Sequence, residues 1–143
     1  MALDRTIAPP IKQIENITLP VPEKIFLSNG IPVFIIRAGS QEVVKIEFLF
    51  NAGRKHEPAK TISLACSRLM KEGTASKSSN EISSAFDFFG ATLHVNSFSE
   101  NSNVVLFSLN KHLENLLPLL KEILTEATFP QKEIDTFVQN SLQ

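Results

Sequence analysis

Three histidines (His56, His94 and His112), one cysteine (Cys66) and an unplaced arginine (Arg68) are the side chains best suited to chemistry in this chain. A zinc site needs at least two such ligands on one helix face or in one short loop. No two of the three histidines have that spacing. His56 lies among Arg54, Lys55 and Glu57, the setting of a solvated loop. His94 falls on the polar side of a β-type alternation, where it either contacts a ligand or faces solvent. His112 stands near a helix start and reads as structural. Cys66 sits in an apolar stripe with no neighbouring base, which describes an inert thiol rather than a nucleophile. A lone cysteine also excludes an intrachain disulfide. Arg68 has the donors to hold a carboxylate or a carbonyl, or to form an ordinary surface ion pair.

The chain that must position these residues has 143 residues, 43% hydrophobic and 20% charged, within the range of one soluble domain. Its formal net charge of −1 gives no electrostatic pull toward nucleic acid or an anionic membrane. Met1–Pro22 lacks the basic start and apolar run of an export signal. No apolar stretch is long enough to span a bilayer. Compartment stays open between cytoplasm and periplasm.

Residues 1–22 carry Pro9, Pro10, Pro20 and Pro22, which predict an extended arm. Its spaced Ile7, Ile11, Ile14, Ile17 and Leu19 allow it to dock on an apolar surface, and a disordered leader is the other reading of the same residues. Residues 23–143 form the domain proper. Asn29-Gly30 between β-rich runs predicts a hairpin of Lys24–Ser28 and Ile31–Arg37, closed by a type I′ turn. "EVVKIEFLF" predicts a third strand with Val44, Ile46, Phe48 and Phe50 on one face. "TISLACSRLMKEGT" predicts a helix with Ile62, Ala65, Cys66, Leu69 and Met70 as its core stripe, ended at Gly73. Leu64, Ser67 and Arg68 fall together on its other side. Ser78 and Glu81 predict a capping box for a second helix, with Ile82, Ala85, Phe86 and Phe89 inward and Gly90 as its stop. Two strands follow around a turn at Glu100–Asn103, with Leu93 and Val95 on one side of the first and His94 and Asn96 on the other. A long helix from about Lys111 to Glu126 has Leu113, Leu116, Leu117, Leu120, Ile123, Leu124 and Ala127 as its stripe. Pro118 either kinks it or marks a later start at Asn115. A last helix carries Ile134, Phe137 and Val138, and the lack of a cap after it suggests a fragment cut within or just after that helix. The order β-β-β-α-α-β-β-α-α predicts an α+β fold, a largely antiparallel sheet with helices packed on one face.

Several phrases, in this order, resemble those of the pitrilysin/insulinase/mitochondrial-processing-peptidase family of zinc metallopeptidases. "FLSNGIPVFII" is similar to its first hairpin. "VVKIEFLFNAGRKHEP" resembles its next strand and loop, with Gly53, Glu57 and Pro58 matching and Arg54 shifted by one place. "MKEGT" resembles a helix exit ending in Gly-Thr, here Gly73-Thr74. "TFPQKEID" resembles the approach to the last helix. The resemblance covers roughly Glu23 to the end and implies the LuxS/processing-peptidase-like metallohydrolase fold.

Active members carry H-x-x-E-H on the first helix, two zinc ligands and a general base. Anchored at Gly73-Thr74, those five positions are Leu64, Ala65, Cys66, Ser67 and Arg68 here. Leu64 cannot bind a metal, Ser67 cannot serve as the base, and Arg68 repels a dication. By spacing, the family's third ligand, a glutamate, falls just beyond Gln143. The phrase entering the strand after the second helix departs too, with Leu93 where active members have Asn. The resemblance therefore implies an inactive half: no catalytic residue, no metal and no cofactor in this chain. Zinc is expected only in a partner, a catalytic homologue or domain bearing H-x-x-E-H. Together the two halves would enclose a peptide substrate, with Arg68, His94 and Asn96 as candidate peptide contacts and sheet-edge hydrogen bonds tolerant of sequence. A different class of reading is a stand-alone interaction or scaffold module without a peptidase partner. A third, an active hydrolase with relocated residues, finds no acid–base pair of suitable spacing.

Overall fold

The structure, a computed structural model, describes residues 15–142. They fall in two compact units that divide between Ser40 and Gln41. The fold is α+β, with strands antiparallel and element order as predicted.

The first unit holds one hairpin, β1 (Glu23–Phe26) and β2 (Pro32–Ile35), paired from Glu23↔Ile35 to Phe26↔Pro32. Pro32 opens its strand, a place where a missing donor is tolerated. The turn is not type I′. That type needs positive φ at both central residues, and Asn29 has none, while Gly30 has φ +82°. Gly30 N–H donates to Leu27 C=O and Leu27 N–H to Ile31 C=O, both at 2.9 Å. The inclusion of Ser28 makes a three-residue loop in which only the left-handed position requires glycine. Residues 15–22 carry no strand or helix. Ile7, Ile11 and Ile14 of the predicted arm lie outside the described residues.

The second unit is a sheet of β3 (Val43–Phe50), β4 (Thr92–Ser97) and β5 (Ser102–Leu109), in the order β3-β5-β4. Four helices accompany it: α1 (Ile62–Leu69), α2 (Ser79–Phe88), α3 (Leu113–Glu126) and α4 (Gln131–Ser141). The inner face of the sheet contributes Leu93, Val104 and Leu106 to the core, with Ile46 and Phe48 packed against them. Ile82 and Phe86 of α2 and Leu116, Leu119, Leu120 and Ile123 of α3 complete it. The strand alternation holds, with His94 and Asn96 on the outer, exposed face.

Local chemistry fixes the ends of α2. Ser78 and Glu81 form the predicted capping box, each side chain taking the other's backbone N–H. At the other end Gly90 has φ +59°, and Gly90 N–H → Asp87 C=O (3.0 Å) with Ala91 N–H → Phe86 C=O (2.9 Å) close a Schellman motif.

Helix α3 differs from its predicted stripe. Leu119 is buried and Leu117 is 42% exposed. Pro118 lies inside one continuous helix from Leu113, so neither a later start nor a first-turn position applies. Pro118 is exposed beside Leu117, and a proline there leaves the carbonyl four residues before it without a helical N–H partner. The β4–β5 turn closes earlier than predicted, with Phe98 N–H → Asn101 C=O at 2.8 Å and β5 beginning at Ser102.

Candidate functional site

Helix α1 carries the positions of greatest chemical interest, and both its ends are clamped by residues of the recognised phrases. Before it, the loop after β3 is pinned to the β4–β5 turn. Arg54 N–H donates to Phe98 C=O and Lys55 N–H to Ser99 C=O, both at 2.9 Å. Gly53 makes this approach possible, since a Cβ there would stand 2.4 Å from Asn101 N and Glu100 C. Thr61, the residue before α1, is left-handed at φ +74° and supplies no side-chain cap. Glu57 supplies it instead. Its carboxylate accepts from Thr61 N–H (3.1 Å), Ser63 N–H (3.0 Å) and Ser63 Oγ (2.8 Å). The Ser63 bonds above all hold this carboxyl below its usual range, with Thr61 and the charge of Arg54 adding to them. An acid four to six residues before a helix is a signal that a search for N-caps at the adjacent position passes over.

After α1 the chain turns at Gly73-Thr74 and meets the approach to α4. Thr128 N–H donates to Gly73 C=O at 3.0 Å, and Thr74 forms an antiparallel bridge with Ala127. A Cβ on Gly73 would lie 3.1 Å from Pro130 Cγ and Thr128 Oγ1. The two phrases "MKEGT" and "TFPQKEID" thus touch in space. A hub at Glu122 of α3 locks the same turn, accepting from Thr74 Oγ1, Ser76 Oγ and, at 2.7 Å, Lys77 Nζ. Hydrogen bonds from Lys77, Ser76 and Thr74 hold the Glu122 carboxyl down at about 2.

A folded-state value below the unfolded one means that stability from Glu122 is fully present above the ordinary carboxylate value of 4.5 and lost as pH falls toward about 2. The difference in melting temperature between wild type and Glu122→Gln is therefore expected to be largest near neutral pH and to shrink steadily below pH 4.5. A difference that stays constant down to pH 2 would remove the charge from this account.

The residues after α1 meet those before α4, and a groove of about 430 Å³ lies between the two helices. Leu64, Arg68, Leu69 and Glu72 line one wall, and Glu133, Thr136, Phe137, Asn140 and Ser141 the other. Arg68 forms no ion pair among the described residues.

The predicted core stripe of α1 needs correction. Ile62 is 45% exposed, and Ser63, Ser67 and Leu69 are the buried residues. The predicted outer face of Leu64, Ser67 and Arg68 also divides. Leu64 and Arg68 reach the groove, whereas Ser67 is buried and donates to Leu64 C=O at 2.8 Å. A two-turn helix clamped at both ends takes its rotation from the clamps. Its small hydroxyls tolerate burial because each finds a local acceptor.

The three histidines have different surroundings. His56 is exposed, in a 3-10 turn of Arg54–His56. His94 is exposed and meets Phe107 edge-on, ring centres 6.2 Å apart. His112 packs on Phe89 at 5.2 Å. Burial pushes the Cys66 thiol up, away from reactivity. On the outer sheet face a polar ladder links all three strands: Asn96 Nδ2 → Asn103 Oδ1 (3.0 Å), Asn103 Nδ2 → Glu47 Oε1 (2.6 Å) and Lys45 Nζ → Glu47 Oε2 (2.7 Å). Among the described residues no three His, Cys, Asp or Glu side chains are grouped so as to hold a metal ion.

This antiparallel α+β arrangement is the fold of solved peptidase M16 domains. The family described as insulinase (peptidase family M16) matches residues 33–143, and the chain belongs to that family. No curated protein sequence matches it. Among solved structures, it is similar to a peptidase M16 inactive domain from Pseudomonas fluorescens, at 20% identity and a TM-score of 0.77 over 83% of this chain. It is also similar to the periplasmic protease PqqL from Escherichia coli (21% identity, TM-score 0.73, 92% of this chain). A protease from Helicobacter pylori matches at 19% identity and a TM-score of 0.69 over 80% of this chain. The chain spans 30%, 15% and 28% of those three chains, respectively.

Proposed function

We propose that this chain is the catalytically silent part of an M16-type peptidase. It pairs with a half that bears H-x-x-E-H and forms part of the wall of a peptide-enclosing chamber. The observation that carries this reading is the contrast within α1. Glu57, Gly73 and Thr74 hold the helix at both ends, while the groove between those clamps presents Leu64 and Arg68.

Zinc, which the family implies, does not fit these residues. Leu64 offers no lone pair and Arg68 brings a permanent positive charge to the same wall. In this reading zinc and base belong to the partner. Arg68 in the groove, with His94 and Asn96 on the outer sheet face, are the proposed peptide contacts.

Two measurements test it. The full chain purified near neutral pH is expected to carry no tightly bound zinc by mass spectrometry, and stoichiometric zinc would overturn the proposal. Mixed with an H-x-x-E-H homologue encoded beside it or in the same polypeptide, it is expected to form a stable complex. Cleavage of a quenched peptide should then rise well above that of the homologue alone and vanish with chelator. A homologue fully active alone, with no complex on gel filtration, favours the stand-alone interaction module instead.

A further inference from the structure

We propose that Lys71 is a plug on the unpaired edge of β4, beside α1, placed so that this edge does not take up an extended chain. In the order β3-β5-β4, β4 has no strand on its far side among the described residues. The direction of its backbone groups follows from the turn. Phe98 N–H bonds to Asn101 C=O, so Asn96, His94 and Thr92, each two residues further back, turn their N–H and C=O groups toward β5. Leu93, Val95 and Ser97 turn theirs away. This outward row is what an added strand would engage.

Lys71 Nζ donates to the first of those outward carbonyls, Leu93 C=O, at 3.1 Å. Lys71 is half-buried. Its backbone lies between α1 and the clamped Gly73, and its neighbour Glu72 is bonded both through N–H to Leu69 C=O (3.0 Å) and from Ser79 Oγ (2.7 Å). A strand arriving along β4 would have to displace the ammonium from its acceptor and cover a charge. Both oppose pairing, the role lysine commonly has on sheet edges. Peptide contact then falls to the groove and the outer face rather than to this edge. The inference stands on the edge geometry alone and holds whether or not the chain pairs with a catalytic half.

The test compares Lys71→Met, which keeps the stem and removes the donors, with Lys71→Arg, which restores a cationic donor. The probe is a fluorescent extended peptide of alternating Val and Thr, followed by anisotropy, with self-association followed by sedimentation. Lys71→Met is expected to bind the probe, or to self-associate, at a concentration about tenfold lower than wild type, the equivalent of one acceptor released. Lys71→Arg is expected to match wild type. Equal behaviour of all three, with unchanged circular dichroism, overturns the proposal. Should Lys71→Met fail to fold, amide exchange in the wild type decides. With excess probe, Val95 and Ser97 are expected to exchange at unchanged rates, and their protection overturns the plug.

Discussion

Gly53→Ala is expected to lower the melting temperature by roughly 10 °C, from a loss of about 3 kcal/mol. The backbone at Gly53 is ordinary, φ −80° and ψ −179°, so any residue could adopt it. Space is the obstacle. The new methyl would lie 2.4 Å from Glu100 C and Asn101 N and 2.7 Å from Glu100 N. These are backbone atoms of the β4–β5 turn, held in place by Arg54 and Lys55 N–H bonds and by Ser102 Oγ → Ala52 C=O at 2.8 Å. The clash is relieved only by breaking those bonds, which frees the loop carrying Glu57. Loss of Glu57 from its three donors should then fray α1 before the sheet melts. Thermal unfolding followed by circular dichroism, with amide exchange at Ser63, measures both effects. An unchanged melting temperature would mean that this loop does not hold the turn.

Leu116→Ala is expected to destabilise the domain by about 2–5 kcal/mol, the range for a buried leucine that leaves a cavity. Leu116 is 0% exposed and belongs to the cluster with Leu106, Leu120 and Ile123. Its neighbour Leu117, an equal member of the stripe when the helix is read alone, is 42% exposed. Leu117→Ala should therefore change stability by less than about 1 kcal/mol. Urea unfolding of the two variants gives the comparison. Equal losses would show that α3 is rotated from the orientation described, with Leu117 rather than Leu119 facing the sheet.

That pair shows where the sequence is informative and where it is not. Periodicity located α3 and its amphipathic character, because Leu116, Leu120 and Ile123 repeat at helical spacing. It could not choose between Leu117 and Leu119 as the flank of the stripe. Both sit within reach of the apolar side, and the choice depends on where β5 lies. The capping box and glycine stop of α2 were legible in full, since Ser78, Glu81 and Gly90 act on backbone groups within a few residues of themselves. The hairpin was legible as a hairpin but not in its turn type, because Ser28 joins the loop and only Gly30 takes positive φ.

For the candidate site, the sequence by itself determined which side chains α1 carries. In the proposed reading Leu64 and Arg68 take the two outer positions of the family's motif, and neither side chain offers a zinc-binding lone pair. That conclusion rests on the chemistry of the side chains. Tertiary structure decided the rest. It buried Ser63 and Ser67 in place of Ile62, because the rotation of a two-turn helix is imposed by Glu57 at one end and the Gly73–Thr128 contact at the other. It placed Arg68 opposite α4 and Lys71 on Leu93 C=O, contacts between residues 22 or more positions apart that no local pattern encodes. Side-chain identity limits chemistry wherever a residue lies. Which face is buried, and what each charge meets, is set by long-range packing, and only the assembled fold contains that information.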